Sequence, residues 1–171
     1  MKDSKFKVAI TIFVLLLALP ACKYSTEYKQ AKAADKFTLM VPPWVKEETT
    51  LKPGAGLQYA SRFRNFYVIG ETENKDSVKS VSSIMSANLA ILSKAMEKPR
   101  VNDSTTVNIG GLNGARVEMS GKMTGEDIYF SEVVLEGKNR LYHLSIWTRN
   151  ADRKLKFKDD IDRILNSFKE L

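Results

Sequence analysis

The sequence predicts an α+β fold, an antiparallel sheet of about six to seven strands covered by two main helices. Three observations predict it. Apolar residues recur at spacings of three and four at Val78, Val81, Met85, Leu89, Leu92 and Met96, and again at Phe157, Ile161, Ile164, Leu165 and Phe168. Each set is the single apolar stripe of an amphipathic helix. Elsewhere, stretches rich in β-branched and aromatic residues alternate with a period of two, the pattern of strands. Several links between those stretches, such as Gly137-Lys138-Asn139, are too short for the crossover that a parallel pair requires.

In chain order, Lys2, Lys5 and Lys7 form a basic start, and an apolar run of about 14 residues follows over 8–21. A membrane-spanning helix needs about 20 residues, so this length fits the apolar core of a signal peptide. Pro20 closes the run, because proline cannot continue a helix. The segment Leu19-Pro20-Ala21-Cys22 resembles the lipobox of bacterial lipoproteins, with Pro20 at a position more usually Ala or Ser. That resemblance implies a diacylglycerol on the Cys22 thiol, cleavage before Cys22 and acylation of the new amino group. A single acyl chain gives only marginal membrane binding, so the second chain matters. Three alternatives stand beside this reading. Ordinary cleavage after Ala21 wants a small residue where Leu19 stands. An uncleaved membrane helix is opposed by the length. An incidental Cys22 would have no disulfide partner, being the only cysteine in the chain.

Residues 22–36 are polar and lack bulky aliphatics, which reads as a lipidated flexible tether, with a short helix over 30–35 as the alternative. A single domain is expected over 37–171. Strands are expected over 37–41, stopped by Pro42-Pro43, and over 57–63 and 66–72, joined as a hairpin at Arg64-Asn65. A polar loop links Trp44 to Lys52-Pro53-Gly54. The first helix is expected over about 77–97, with Asp76 as its N-cap and Pro99 as its stop. Four strands follow, over 105–109, 115–123, 127–136 and 140–149, with a turn at 110–114 between the first two. The second helix is expected over about 153–169. No internal repeat of array or propeller length occurs.

The 171 residues carry a formal charge of +7, and three Lys and one Asp fall in 1–21, leaving about +5 for the remainder. The basic residues are interspersed and not clustered with aromatics on one helix, so the excess reads as solubility, with attraction to an anionic membrane surface or acidic partners as the alternative, and no nucleic-acid partner is expected.

The remaining motifs carry little chemistry. His143, the single histidine, shares a strand face with Leu141, Ser145 and Trp147. No G-x-S-x-G accompanies it, so it reads as a structural or surface histidine and no catalytic residue is assigned. One His and a lipid-claimed Cys do not make a zinc set, and Asp159, Asp160 and Asp162 lack EF-hand spacing, so no metal is assigned. Gly110-Gly111-Leu112-Asn113-Gly114 lacks the Walker pattern and reads as a turn. Trp44, Trp147, Tyr59, Tyr67, Tyr129 and Tyr142 read as core and cross-strand aromatics, with a ligand groove as the alternative. Asn102-Asp103-Ser104 is a sequon, and Asp76-Ser77-Val78 and Asp103-Ser104-Thr105 resemble O-glycosylation triplets of some Bacteroidota.

Four segments in this order resemble the PsbP-like superfamily: FTLMVPPW at 37–44, VNIGGLNGARVEMSG at 107–121, IYFSEVVLEGKNRLYHLSIWT at 128–148 and FKDDIDRILNSFK at 157–169. The superfamily also includes bacterial DcrB-type lipoproteins and a Ran-binding nuclear-import factor of fungi. The resemblance implies an α/β/α sandwich around an antiparallel sheet and members that bind or assist other proteins and are generally not enzymes. No photosystem ligand positions match here.

These readings converge on a membrane-anchored accessory or binding protein of the bacterial envelope, without enzymatic activity or cofactor. It would be held to the bilayer by acylated Cys22, with an envelope protein as partner. Lys23 is not the Asp that retains lipoproteins at the inner membrane in enterobacteria, which favours the outer membrane. The alternative function is carriage of a small apolar ligand in a pocket between sheet and helix.

Overall fold

A computed structural model describes residues 26–75, 79–150 and 153–171. Cys22, the signal segment 1–21 and the Asp76 cap lie outside the described residues. The chain runs β1 (Lys29–Ala33), β2 (Phe37–Val41), β3 (Lys46–Glu47), β4 (Leu57–Ser61), β5 (Phe66–Asn74), α1 (Val81–Ala95), β6 (Glu97–Ile109), β7 (Leu112–Met123), β8 (Glu126–Glu136), β9 (Arg140–Arg149), α2 (Arg153–Asn166) and β10 (Lys169–Glu170). Seven strands form one antiparallel sheet in the order β3-β4-β5-β9-β8-β7-β6, and β1-β2-β10 form a smaller one.

Both faces of the large sheet are covered, as the expected sandwich requires. Tyr142, Leu144 and Ile146 of β9 and Tyr129, Val133 and Leu135 of β8 point to one side. There they meet Phe157, Ile161, Ile164 and Leu165 of α2 and Phe37, Leu39 and Val41 of β2. The intervening residues of the same strands face the other way. Phe130 and Val134 join Val117 and Met119 of β7 under Met85 and Met96, with Val81, Ile84, Leu89 and Leu92 half buried. β8 is therefore buried on both faces, which is why its sequence reads as a nearly continuous apolar run.

Several boundaries differ from the sequence-based expectation. The tether reading of 22–36 fails over Lys29–Ala33, which pairs antiparallel with β2 from Lys29↔Val41 to Ala33↔Phe37. The alanines at 31 and 33 point into the core while Lys32 between them faces out, a strand pattern written in small residues. α1 begins at Val81, not near 77. Its N-cap is Ser80, whose hydroxyl accepts from the Ser83 N–H while Ser83 Oγ accepts from the Ser80 N–H. Pro99 does not end that helix; Met96 caps it, and Pro99 lies within β6, where the pairing shifts between Glu97 and Arg100. Proline has no N–H for the ladder, so an irregular edge strand accommodates it. β6 is eight residues longer at its start than the 105–109 expected. α2 stops at Asn166, and Lys169–Glu170 turn back to pair with Thr38 and Phe37. A short β3 interrupts the loop after Trp44.

Candidate functional site

Alternation in three central strands places a polar cluster on the α1 side of the sheet. β9 sends His143, Ser145 and Trp147 there, β5 sends Ile69 and Glu71, and β8 sends Phe130 and Glu132. The register sets His143 opposite Glu71 on one side, and Ser145 opposite Glu132 on the other. α1 covers only part of this face, so a half-open groove of about 220 Å³ remains. Asn88, Ile91 and Leu92 of α1 form one wall, and Leu51 and Lys52 form the other. Gln58 fixes that second wall. Its Oε1 accepts from the Leu51 and Lys52 N–H groups at 3.0 and 2.9 Å, and its Nε2 donates to the Lys52 carbonyl at 2.9 Å.

The groove floor is a chain of alternating partners. Lys52 Nζ lies 2.6 Å from Glu71 Oε2, His143 Nδ1 lies 3.5 Å from the same oxygen, and His143 Nε2 lies 2.6 Å from Glu132 Oε2. Ser145 Oγ donates to Glu132 at 2.9 Å, and the Asn88 amide nitrogen sits 2.9 Å from His143 Nε2. Glu132 is only 2% exposed, and a carboxylate so deep needs a partner. Burial opposes protonation of His143, but the hydrogen bonds to Glu132 and Glu71 outweigh it and lift the imidazole to about 9. The hydrogen bond from His143, against burial and with help from Lys52, holds the Glu71 carboxyl down to about 2.

This arrangement does not activate a nucleophile. A serine needs an imidazole free to take its proton, whereas His143 Nε2 is engaged with Glu132 at 2.6 Å, and Ser145, 3.3 Å from that nitrogen, donates to the same carboxylate at 2.9 Å. The cluster instead makes a rigid polar floor of balanced charge under an apolar rim of Leu51, Ile91, Leu92, Phe130 and Trp147.

The other candidates resolve into structure. Gly110 and Gly111 form a two-residue hairpin turn between β6 and β7, with φ of 60° and 83°. Both residues in the left-handed region match a turn that glycine permits. A Cβ on Gly110 would lie 2.5 Å from the Phe168 carbonyl oxygen. Asp162 is occupied by Arg116 at 2.7 Å and Lys158 at 3.0 Å, and Asp160 accepts from the Tyr28 hydroxyl. Among the described residues, no group of three His, Cys, Asp or Glu side chains is placed to hold a metal ion. Of the aromatics singled out, Trp147 reaches the groove, stacked between Tyr67 and Phe130 at centroid distances of 5.0 and 5.4 Å. Trp44 packs on Phe66 and Phe157, and Tyr142 on Phe37 and Phe168. Glu71, Glu132, Asn88 and Lys52 were not among the sequence-based candidates. The one signal that could have found Glu132 is a charge in the middle of the apolar run YFSEVVL.

Among the described residues no helix is long and apolar enough to cross a membrane. No protein-family model matches the chain, and no curated protein does. Solved structures do. The cyanobacterial PsbP of Synechocystis superposes with a TM-score of 0.66 at 12% identity, over 91% of this chain and 99% of that one. The Ran-binding protein Mog1p of Saccharomyces cerevisiae gives 0.60 at 11% identity, over 84% and 95%. LpqN of Mycobacterium tuberculosis, described as involved in cell envelope biogenesis, gives 0.57 at 12% identity, over 84% and 90%. The domain has the PsbP-like α+β fold.

Proposed function

We propose that this chain is a lipid-anchored protein of the bacterial envelope whose PsbP-like domain is a non-enzymatic, protein-binding accessory module. The groove beside α1 is the binding site. The observation that carries this reading is the pairing of an exposed apolar rim with a charge-balanced floor. Ile91 is 65% exposed at the lip of the groove, above a cluster in which Glu71 and His143 are partly buried and Glu132 fully. A volume of about 220 Å³ lies below the ~300–1,000 Å³ usual for small-molecule sites and suits one inserted apolar or aromatic side chain of a partner. A carrier of an apolar ligand would want a larger, drier cavity. A Ran-binding protein and a protein of envelope biogenesis share this fold, which supports a binding role. The LPAC segment after a short apolar run supports the anchor at Cys22.

Two measurements test the two halves separately. Cys22→Ala should abolish acyl labelling and leave an unprocessed precursor; a mature wild-type protein that begins elsewhere and carries no lipid refutes the anchor. A photocrosslinker at Ile91 in the native envelope should yield one dominant protein adduct that Trp147→Ala removes. The same probe at Asp103, on the edge strand β6, should not yield it. Equal adducts at both positions, or insensitivity to Trp147→Ala, refute the groove as the binding site.

A further inference from the structure

The hairpin between β4 and β5 turns through Arg62-Phe63-Arg64-Asn65, and Phe63 at its tip is 93% exposed. Such exposure of a phenyl ring would be unremarkable on a loose loop, but this loop is held. Arg64 and Asn65 N–H groups donate back to the Ser61 and Arg62 carbonyls at 3.1 and 3.2 Å. The Asn65 carbonyl accepts from the Arg149 N–H at 3.1 Å, and the Arg64 carbonyl accepts from Arg153 Nη1 at 2.7 Å. The ring is thus presented to solvent on a braced support. Its surroundings are basic and aromatic: Lys46, Arg62 and Arg64 outnumber Glu48 in the adjoining groove, where Arg62 Nε pairs with Glu48 at 3.2 Å, and the Arg64 guanidinium lies 4.7 Å from the centre of the Trp44 ring.

The first strand starts beside the Trp44 groove. Lys29, the first residue of β1, pairs with Val41 and donates from Nζ to the carbonyl of Val45, next to Trp44 in the chain, at 2.8 Å. Tyr28 just before it is held by Asp160 and lies under the Arg163 guanidinium. From Cys22 to Tyr28 is six residues, a reach of about 20 Å at full extension. An acyl chain on Cys22 would therefore keep Lys29 and the neighbouring Trp44 groove within reach of the bilayer.

We propose that the Arg62-Phe63-Arg64 tip is a membrane-contact site that seats on an anionic phospholipid surface, Phe63 entering the interface and the basic residues meeting lipid phosphates. Rings at headgroup depth flanked by cationic side chains are the usual composition of such contacts. The contact makes the anchored domain stand in one orientation, with the α1 groove at the side of the molecule. It rests on the lipid-anchor reading of Cys22.

The test uses the full chain, processed in its own envelope and reconstituted into phosphatidylcholine–phosphatidylglycerol vesicles. With Cys22 acylated, Phe63→Cys introduces the single free thiol, which takes an environment-sensitive fluorophore. Lys138→Cys, at the opposite end of β8 and β9, is the control. A lipid-borne nitroxide should quench the probe at 63 several-fold more than the probe at 138, and aqueous iodide should do the reverse. Arg62→Glu with Arg64→Glu, or vesicles of phosphatidylcholine alone, should bring position 63 close to the control. An acylated protein that floats with the vesicles while both probes quench alike overturns this proposal alone. A protein without acyl label that does not float overturns the anchor reading and this proposal with it.

Discussion

Glu132 and His143 can be judged by what each would lose without the other. Glu132 sits in the middle of β8 between Phe130 and Val134 on its face, and one of its oxygens is shared by the imidazole and the Ser145 hydroxyl. Breaking one side of a buried pair leaves an uncompensated polar group, which is where the penalty lies. The protonation of His143 is therefore linked to folding. His143 has a folded value near 9, above the ordinary ~6.5. Its contribution to stability is present in full below about pH 6.5 and is lost as pH rises through about 9. Glu71, held near 2, acts in the opposite sense, contributing above about 4.5 and losing that contribution as pH falls toward 2. Since the chain has one histidine, its imidazole resonances assign themselves in a proton NMR titration. A midpoint near 9 is expected in the wild type and a clearly lower one in Glu132→Gln; a wild-type midpoint at an ordinary histidine value would contradict the geometry. This site was only partly legible in the sequence. The alternation of β9 put His143, Ser145 and Trp147 on one face, but Glu71 and Glu132 reach them only through strand pairing, which no local pattern specifies.

The long elements were legible because their apolar residues keep period: β2, β5, β7, β8 and β9 lie within a few residues of the expected strands, and both stripes became helices. What stayed hidden lacked such a pattern. β1 carries alanines where a strand usually shows β-branched residues, and the first half of β6, EKPRVNDS, is polar because it lies exposed at the sheet edge. β1 predicts its own check, since Lys29–Ala33 pairs fully with β2. Amides there that point into the ladder should exchange slowly, and exchange as fast as in an unstructured peptide would restore the tether reading. The C-terminal segment offers a second. Phe168 lies beyond the end of α2 yet is 1% exposed, stacked on Phe37 at 5.6 Å and edge-on to Tyr142 at 5.1 Å. Phe168→Ala should cost about 3–5 kcal/mol in a denaturant titration, as truncation of a buried phenylalanine does. Lys169→Ala, exposed on β10, should lie within about 0.5 kcal/mol of wild type. Equal small losses for the two would mean that the segment is not packed.

At the scale of the whole molecule the two faces of the sheet are unequal. α2 buries Phe157, Ile161, Ile164 and Leu165 and is further tied by Arg116 to Asp162 and by Lys154 to Glu118. α1 is of similar length but buries Met85 alone, leaving Val81, Ile84, Leu89 and Leu92 half exposed and Ile91 out in solvent. Since a short helix in water draws most of its stability from packing, the element with less buried surface should open first. Local opening free energies run from near zero to the global value, and elements that bind partners tend to lie at the low end. α1 is also the wall of the groove, so the same deficit that weakens its packing lets the groove widen around an inserted side chain. Native-state hydrogen exchange across a denaturant series separates the two helices. The α1 amides should exchange through an opening well below the global unfolding free energy, while those of α2, β8 and β9 should merge with global unfolding. Ile91→Asp should leave that pattern unchanged, because the side chain already faces water, whereas Met85→Ala should lower the α1 opening energy further and spare α2. If α1 and α2 exchange on one common isotherm in the wild type, the helix is as firmly docked as its counterpart and the groove is a rigid feature of the fold.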